Sequence, residues 1–397
     1  MRVIHTGDWH LGRLFCGAHL TENQAYIITK ELLPMIIDEK ADALVIAGDI
    51  YDRAVPVPEA VELFDSVLAW LMEHHVKLFA VAGNHDSGRR IDYGSRIFKE
   101  QGIYIRGIYD ATDEPIPISD EHGKLYVALF PYMDPASVRD SLTKRGLMPE
   151  DEAEVTGFDK ATGFAIANMA SKLPAGVRSI AVAHAFVAGS GEKDFHPDES
   201  PDSERVLSVG GSPNVSPRHF APFSYTALGH IHKPQRAGGE NIRYSGSLMK
   251  YSFDEASQRK GAVLVDIDGN GNVNTETREL HPRHDVRRVK GSLDELMSMP
   301  VSDDYIEAHL TDSQRILGAQ NKLRKIWPNL ASVMWEIDEN TVAASDFTGR
   351  DIRNKTTKEK FYDFISSVRP SLPLTEDELH VLDETLDEID RKEREAE

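Results

Sequence analysis

Short apolar runs and longer amphipathic stretches alternate along the first part of the chain. Continuous apolar character predicts buried β-strands at residues 3–6, 42–47 and 77–82. Between them, apolar residues recur every three or four positions over residues 21–40 and 56–75, which predicts two amphipathic helices. The first of these helices begins with TENQ, a capping-box-like sequence. Strand, helix and strand of these lengths predict parallel strand pairs with right-handed crossovers, and hence an α/β fold.

The pattern continues to about residue 280 with longer polar insertions. A short helix is predicted at residues 93–101, and residues 134–172 are mostly helical in pattern. Asp268-Gly269-Asn270-Gly271 is a strong hairpin-turn sequence. Residues 189–217, rich in Gly, Ser, Asp and Pro, form a loop long enough to be functional or mobile. Further strands are predicted at residues 125–133, 179–183, 224–228, 243–254 and 261–267.

The composition changes after about residue 281, and the sequence predicts three domains. Residues 1–280 form the α/β core. In residues 281–345, two strand-like pieces, VRRVKGS and ASVMWEID, bracket an amphipathic helix at residues 313–327, which predicts a small α+β domain. Residues 346–397 are dominated by Asp and Glu and predict a helical tail interrupted by prolines.

The charge balance bears on possible partners. The 397-residue chain has 45 Lys and Arg against 65 Asp and Glu, a formal net charge of −20. Taken alone, this excess disfavours nucleic acid as a partner, unless a metal site or a local basic strip changes the field. Cys16 is the only cysteine, which excludes an internal disulfide framework and a cysteine-rich zinc site. No apolar run approaches membrane-spanning length, so we expect a cytoplasmic protein.

Metal-binding side chains follow five of the predicted strands. Carboxylate, amide and imidazole groups without a thiolate favour Mn, Fe or catalytic Zn. Seven such residues exceed the needs of one ion, whereas two ions about 3.5–4 Å apart, bridged by an aspartate, would use them all. Such a pair is best suited to hydrolysis of a phosphate ester, with His85 available as a general acid or transition-state donor. The candidate ligands are Asp8, His10, Asp49, Asn84, His184, His230 and His232.

Each of these residues taken singly has an ordinary structural explanation. Asp49 after a glycine could cap a helix, Asn84 could hold a left-handed turn, and a lone His184 is more often an interior histidine than a ligand. Those explanations do not account for the joint occurrence of all these groups after separate apolar strands. The set as a whole therefore favours metal binding.

In this order, D-x-H, G-D-x-x-D, G-N-H-D, a histidine after a strand, and G-H-x-H resemble the calcineurin-like metallophosphoesterases. The resemblance covers residues 1 to about 278 and implies a four-layer α/β/β/α sandwich. It implies that His85 contacts the scissile phosphate and that Asp49 bridges the two metals. The implied ligand sets are Asp8, His10, Asp49 and His232 for one ion, and Asp49, Asn84, His184 and His230 for the other.

Longer stretches resemble the double-strand-break repair nuclease branch of this family, namely HTGDWHLGR, GDIYDR, GNHDSGRR, ALGHIHKPQ and RYSGSLMKYSFDE. This resemblance implies an Mn²⁺-dependent exonuclease and endonuclease for double-stranded DNA ends and hairpins, acting in the nucleoid. It also implies a small capping domain, a homodimer and a partner ATPase with a long coiled coil, in a heterotetramer. Some relatives carry His at the position of Asp52, so we assign Asp52 only a supporting role.

Two features extend the hypothesis beyond the metal site. Several cations near the motifs could contact DNA, although they could equally be scattered surface charges. These cations are Arg53, Arg89, Arg90, Lys233 and Lys250. In the tail, leucine and isoleucine residues at helical spacing could dock on the ATPase, or the helix could be simply solvated. The alternatives to a nuclease are a phosphoesterase for a nucleotide or phosphoprotein, and a scaffold that has lost its metals.

Overall fold

The structure is a computed structural model, and it describes residues 1–188 and 214–336 together with residues 360, 361, 375, 378–382 and 385. No helix in these ranges is long and apolar enough to cross a membrane. The described strands are β1 Arg2–Thr6, β2 Leu14–Phe15, β3 Ala18–His19, β4 Ala43–Ala47, β5 Lys77–Val81, β6 Ile103–Arg106, β7 Ile116–Asp120, β8 Gly123–Phe130, β9 Arg178–His184, β10 Tyr225–Gly229, β11 Gln235–Arg236, β12 Ile242–Tyr244, β13 Gly261–Ile267, β14 Val273–Glu279, β15 Val286–Gly291, β16 Tyr305–Leu310 and β17 Leu330–Trp335.

The helices follow the predicted amphipathic stretches, in shorter pieces. The α-helices are α1 Thr21–Ile27, α2 Leu33–Asp38, α3 Pro58–Glu73, α4 Gly88–Ile91, α5 Ser95–Phe98, α6 Pro135–Arg145, α7 Gly157–Ala170, α8 Leu293–Met297 and α9 Ala319–Leu323. Single turns of 3₁₀ helix cover Lys99–Gln101, Glu152–Val155, Pro217–Phe220 and Phe253–Glu255, and a π-helical turn covers Ile28–Leu32.

Two six-stranded sheets form the core of the fold. The first has the order β14-β13-β1-β4-β5-β6 and the second β11-β12-β10-β9-β8-β7. Strands β1, β4, β5 and β6 of the first sheet are parallel to one another, as are β8, β9, β10 and β12 of the second. All carboxyl ends of the parallel strands in one sheet lie at the same edge, so the loops that follow them are neighbours.

The burial pattern explains the four layers. In β4, Val45 belongs to an apolar core shared by residues of both sheets, whereas Leu44 and Ile46 pack in a second core with α1 to α3. A third core joins the other face of the second sheet to α6 and α7. Strands buried on both faces are continuous apolar runs, which is why the apolar character of the sequence located them. The predicted α/β/β/α sandwich is confirmed.

The chain divides into two compact units. The larger comprises Met1–Val289, Pro300–Glu307 and Leu323–Ser332 and contains both six-stranded sheets. The smaller comprises Lys290–Met299, Ala308–Lys322 and Val333–Glu397. A separate three-stranded sheet has the order β15-β16-β17. The domain boundaries predicted at residues 280 and 345 stay a prediction.

Several local predictions were wrong. The helix predicted over residues 21–40 is present and continuous over residues 21–38, but its middle, Ile28–Leu32, is a π-helical turn that the sequence did not predict; Pro34 has no N–H to continue the regular α-helical hydrogen-bond pattern there. Its predicted capping box is absent, since Leu20 is the N-cap residue and no side chain caps the helix. A capping box does occur at Ser292 with Glu295, at the start of α8.

Other errors concern short strands and the region after residue 242. The predicted strand over residues 243–254 ends at Tyr244, because Gly246 turns the chain at a φ of +74°. The short edge strands β6 and β7 and the middle strand β16 were missed, and the helix predicted at residues 313–327 is only α9. Residues 189–213 of the predicted loop and most of the predicted tail lie outside the described residues.

Candidate metal centre

The loop after β1 brings Asp8 and His10 to the carboxyl edge of the first sheet. Both have positive φ, +51° and +43°. The loop after β4 pairs with it, because Asp8 N donates to Gly48 O at 3.0 Å and His10 N donates to Asp49 O at 2.9 Å. Both side chains are buried and lie beside Asp49.

Asp49 lies between imidazoles from two different loops. Its Oδ2 is 3.7 Å from Nε2 of His10 and 3.4 Å from Nε2 of His184. Its Oδ1 accepts a hydrogen bond from the backbone N–H of His85 at 2.9 Å. The carboxylate is buried, and the backbone of Asp49 has a φ of +48°. One oxygen of Asp49 is therefore placed to serve two cations.

The second sheet contributes His184 and His230. Nδ1–H of His184 donates to the carbonyl of Ala47 at 2.8 Å, so the neutral ring presents the lone pair of Nε2 to the site. That nitrogen is 2.9 Å from Oδ1 of Asn84, which is also 3.1 Å from Nδ1 of His230. A Cβ at Gly48 would lie 2.2 Å from Nδ1 of His184, so only glycine lets the ring approach.

His232 completes the other side of the site. Its Nε2 is 3.0 Å from Nε2 of His10. Asp8 is fixed beside them, since its two oxygens accept from the backbone N–H of His230 at 2.8 and 3.1 Å. The structure therefore brings all seven sequence-predicted ligands together. Among the described residues, three groups have ligand atoms within 4.8 Å of one another: Asp8, His10 and His232; Asp8, Asp49 and His184; and His10, Asp52 and His85.

Two effects shift the pKa values of the site residues: burial disfavours the charged form of each group, and neighbouring groups of opposite charge favour it. Burial raises the pKa of Asp8 to about 6, and neighbouring Asp49 adds to the shift. Burial also opposes ionisation of Asp49, but the charge of His184 and its hydrogen bond outweigh this and lower the pKa of Asp49. Asp49 in turn raises the pKa of His184 to about 9 against the effect of burial. Burial lowers the pKa of His10, and lowers that of His230 to about 3.

These side chains fit divalent cations. Nε2 of His184 lies 2.9 Å from Oδ1 of Asn84 and 3.4 Å from Oδ2 of Asp49, and a lone pair on this nitrogen would repel both oxygens unless a proton or a cation lies among them. Within the described part of the chain, buried Nδ1 of His10 also has no hydrogen-bond partner. The carboxylates favour the protonated form of His184 in the metal-free site, and a bound cation would take the place of that proton.

Asp86 is an organising residue that the sequence reasoning missed. Its Oδ2 accepts from the backbone N–H groups of Ile50 and Gly83 at 3.0 and 2.9 Å, and its Oδ1 from Tyr51 at 2.9 Å. It thus ties the loop after β4 to the loop after β5. Burial, with the charge of Asp49, raises the pKa of Asp86 to about 7. Its position in the GNHD sequence was the available signal.

A buried amide also fixes the first loop. Oε1 of Gln24 accepts from Gly12 N at 3.0 Å, and its Nε2 donates to the carbonyls of Trp9 and His10 at 3.0 and 2.8 Å. Gln24 lies on α1, so this helix positions the loop that carries Asp8 and His10. Nothing in the sequence distinguished Gln24 from the other polar residues of an amphipathic helix.

A carboxylate and an ammonium group support His232. Oε1 of Glu255 is 3.2 Å from Nδ1 of His232, and Oε2 is 2.6 Å from Nζ of Lys260. Burial alone would raise the pKa of Glu255, but the Lys260 charge and the hydrogen bond from His232 outweigh it and lower that pKa. Glu255 ends the RYSGSLMKYSFDE stretch and had no predicted role; Lys260 follows five residues later and was expected only as one of the cations that could make the site face locally positive, whereas its charge is buried against Glu255.

His85 and Asp52 lie at the rim of the site. Nδ1–H of His85 donates to the carbonyl of Asp52 at 3.0 Å. In the neutral ring Nε2 therefore carries a lone pair and no proton. The Asp52 carboxylate pairs with Arg13 at 2.9 Å and lies 3.7 Å from Nδ1 of His10. Together with Arg13, His85 and five of the candidate ligands line a single small cavity: His10, Asp49, Asn84, His230 and His232.

The candidate DNA-contacting cations differ in their surroundings. Arg53 is 59% exposed and lies 3.8 Å from Asp52. Arg89 and Arg90 are exposed on α4, directly after the GNHD loop. Lys233 is half-buried. Lys250 is only 11% exposed and is paired with Asp285 at 2.9 Å, so its charge is already engaged within the protein.

Comparison with known proteins agrees with this site. The sequence model of the calcineurin-like phosphoesterase family matches residues 1–234, and that of the type 5 capsule protein repressor C-terminal domain matches residues 282–369. The chain therefore belongs to the calcineurin-like phosphoesterase family, whose members use divalent metals, and it is a metal-dependent phosphoesterase, as the sequence predicted.

Within this family, the chain is similar to SbcD, the D component of nuclease SbcCD, from Staphylococcus epidermidis. The two are 30% identical over 348 residues, which cover 86% of this chain and 87% of that protein. This similarity confirms the predicted branch, that of SbcD. Among solved structures, TT1561 of Thermus thermophilus covers 70% of this chain and 98% of its own, with a TM-score of 0.36 and 12% identity.

Proposed function

We propose that the protein is a two-metal DNA nuclease that cuts double-stranded ends and hairpins as an exonuclease and endonuclease. The observation that carries this proposal is the position of Asp49 Oδ2, which faces Nε2 of His10 on one side and Nε2 of His184 on the other. A shared carboxylate oxygen is what a bridged pair of cations requires. The name of the Staphylococcus epidermidis relative supports the nuclease activity.

The ligands divide into two sets that share Asp49. Asp8, His10 and His232 would hold one ion, and Asn84, His184 and His230 the other. When bound, two such cations polarise a phosphoryl group and lower the pKa of water. The protein contributes by fixing the ligands before substrate arrives, through the Ala47 carbonyl for His184 and the His230 N–H for Asp8.

His85 acts on the phosphate rather than on a metal in this proposal. Its backbone N–H is bonded to Asp49 and its Nδ1–H to the Asp52 carbonyl, so the ring is held at the rim of the site. When the ring is doubly protonated, Nε2–H is then the group that donates to a phosphate oxygen or to the leaving group, while Nδ1–H stays bonded to the Asp52 carbonyl. Asp52 has the supporting role of orienting this ring.

The DNA would approach over the cations near the site. Arg53, Arg89 and Arg90 are exposed and follow two of the metal-binding loops directly, which supports their role in contacting phosphates. Lys233 adjoins His232 in sequence. Lys250 is the weakest member of this set because of its pairing with Asp285. The overall charge of −20 then matters less than the local charge around the site.

The remaining assignments follow the SbcD resemblance. We propose Mn²⁺ as the ion pair, a homodimer within a heterotetramer, and an SbcC-like ATPase as the partner, acting on DNA in the cytoplasm and nucleoid. The domain organisation is a core over residues 1–280, a capping domain over residues 281–345 and a partner-binding tail over residues 346–397.

The test is cleavage of labelled hairpin and linear duplex DNA in Mn²⁺, Mg²⁺ and chelator. We expect cleavage of both substrates with Mn²⁺ and none with chelator. A free nucleotide or a phosphopeptide should be a poor substrate. Rapid hydrolysis of these small esters without DNA cleavage would favour a nucleotide or phosphoprotein phosphoesterase. Purified protein that binds no metal would favour a scaffold.

The tail is tested separately. The N–H of Thr375 donates to Glu378 at 2.9 Å, and residues 378–382 are helical, with Leu379 and Leu382 half-buried. Deleting residues 375–397 should preserve Mn²⁺-dependent nicking by the isolated protein and abolish co-purification with the ATPase. Undiminished binding of the ATPase by the truncated protein would exclude the tail as the docking element.

A further inference from the structure

We propose that Glu255 and Lys260 form a buried positioning pair for His232, which makes the two metal positions unequal. The inference deepens the proposed function and rests on its assignment of His232 as a ligand. Glu255 contacts Nδ1 of the His232 ring, whereas the candidate ligand His10 faces Nε2 on the other side. It selectively strengthens the ion position formed by Asp8, His10 and His232.

The first step concerns the His232 ring. Its Nδ1 is 3.2 Å from Oε1 of Glu255, whose ionised carboxylate can only accept a hydrogen bond. Nδ1 therefore carries the proton, and the lone pair of Nε2 points at His10, 3.0 Å away. A carboxylate behind a metal-binding histidine fixes its tautomer and makes it a stronger donor.

The second step concerns the backbone of the same residue. Nζ of Lys260 is 2.6 Å from Oε2 of Glu255 and 2.7 Å from the carbonyl oxygen of His232. It also donates to Oε1 of Gln258 at 2.8 Å. The side chains of Lys260 and Glu255 are only 2% and 1% exposed. Lys260 thus fixes the main chain of His232, and it also orients the Glu255 carboxylate that fixes the His232 ring.

The third step is a comparison with the other half of the site. Nδ1 of His184 is oriented by a neutral backbone carbonyl, that of Ala47, at 2.8 Å. A carboxylate increases the donor strength of an imidazole more than a neutral carbonyl does, because its full charge stabilises the N–H and polarises the ring. The position that includes His232 should therefore depend on Glu255, whereas the position that includes His184 should not.

A merely structural ion pair would behave differently. The segment that contains Tyr251 and Glu255 packs within the apolar core, so loss of the pair could simply loosen the fold. Such loosening would weaken both metal positions together and lower the melting temperature of the metal-free protein. Selective loss of one ion is the signature of positioning.

The main variant is the double substitution Glu255→Gln with Lys260→Met in the full chain. It removes both charges together, which avoids leaving either one buried alone, and it keeps an amide near His232. The matched control is Arg259→Met with Glu279→Gln, an exposed ion pair of 2.9 Å beside the same segment. Mn²⁺ binding is measured by calorimetry, and the pairing of the ions by electron paramagnetic resonance.

We expect the double variant to bind one Mn²⁺ about 10–100-fold more weakly while the other binds as in the wild type. Its spectrum at limiting Mn²⁺ should be that of isolated ions, whereas the control keeps the coupled pair. If the double variant does not fold, Glu255→Asp serves instead, since it keeps a negative charge in the pocket to balance Lys260 but shortens the reach to His232 by one methylene, and the same selective loss is expected.

Two results separate the inference from the proposed function. If the wild type binds two ions and the folded variant binds both equally tightly, or loses both in proportion, the positioning role is wrong and the two-metal site stands. If the wild type itself binds fewer than two ions, the proposed function fails, and the inference fails with it.

Discussion

Replacement of His85 by glutamine tests whether this residue acts on substrate or on metal. The backbone N–H of residue 85 donates to Asp49 at 2.9 Å, and this bond survives the substitution because it does not involve the side chain. Asp86 continues to tie the two loops together through three backbone N–H groups. A glutamine amide can still donate to the Asp52 carbonyl, but it cannot transfer a proton. The ligands should therefore stay in place.

The expected loss of rate is that of a proton donor alone, because the metal ligands stay in place. A positioned general acid or transition-state donor contributes about 10²–10⁴-fold. At about 1.36 kcal/mol per tenfold, this corresponds to roughly 3–5 kcal/mol of transition-state stabilisation. The variant should lose that factor in the first-order rate of Mn²⁺-dependent cleavage, and it should still bind two ions.

The assay combines single-turnover cleavage of labelled duplex with metal analysis of the same protein sample. His122→Gln, a substitution of a histidine that is 43% exposed on the turn between β7 and β8, is the control and should change neither quantity. If metal content falls in proportion to activity in His85→Gln, His85 is a ligand and the reasoning is refuted.

Three further predictions concern the metal ligands, a glycine and a distant ion pair. Asp49→Ala should abolish Mn²⁺-dependent cleavage while the circular dichroism spectrum is retained, since the residue serves the ions more than the core; near-normal cleavage would exclude a bridging role. Gly48→Ala should lower metal occupancy, because its Cβ would lie 2.2 Å from Nδ1 of His184, whereas Gly17→Ala, with a similar φ and open space, should not; equal metal content in both variants would contradict this. Asp120 accepts two hydrogen bonds from Arg178, at 2.8 and 2.6 Å, which lower its pKa. A lowered carboxyl pKa contributes stability above the ordinary value, about 4, that is lost as the pH falls. Asp120→Asn should therefore cost about 1.5–3 kcal/mol in urea unfolding at pH 7, and a difference that does not shrink near pH 3 would disprove the role of its charge.

The central strands could be predicted because both of their faces are buried. Residues of β4 alternate between the core shared by the sheets and the core under the helices, so every position is apolar and the run is unmistakable. Edge strands such as β6 and β7 carry polar residues on one face and are short, and for that reason they were missed. The π-helical turn within the first helix was missed because a single proline, Pro34, was the only irregularity in its apolar pattern.

The ligands could be predicted for a different reason. They follow strands directly, so their positions along the chain translate into positions at one edge of each sheet. Glu255 and Gln24 could not be found in this way, because neither follows one of the predicted ligand-bearing strands and each reaches the site across the fold. Such contacts between residues distant in sequence arise only from three-dimensional packing and cannot be read from a single sequence.

The backbone of the metal site has an evolutionary consequence. Four site residues other than glycine, Asp8, His10, Asp49 and His230, have φ values between +43° and +107°. Each such conformation costs on the order of 1–3 kcal/mol, and natural domains have only about 5–15 kcal/mol of net stability. Glycine adopts positive φ without a steric penalty. Selection for hydrolysis therefore opposes selection for stability at these positions, and a lineage released from the reaction would gain stability by drifting to glycine there while the rest of the sandwich stayed unchanged.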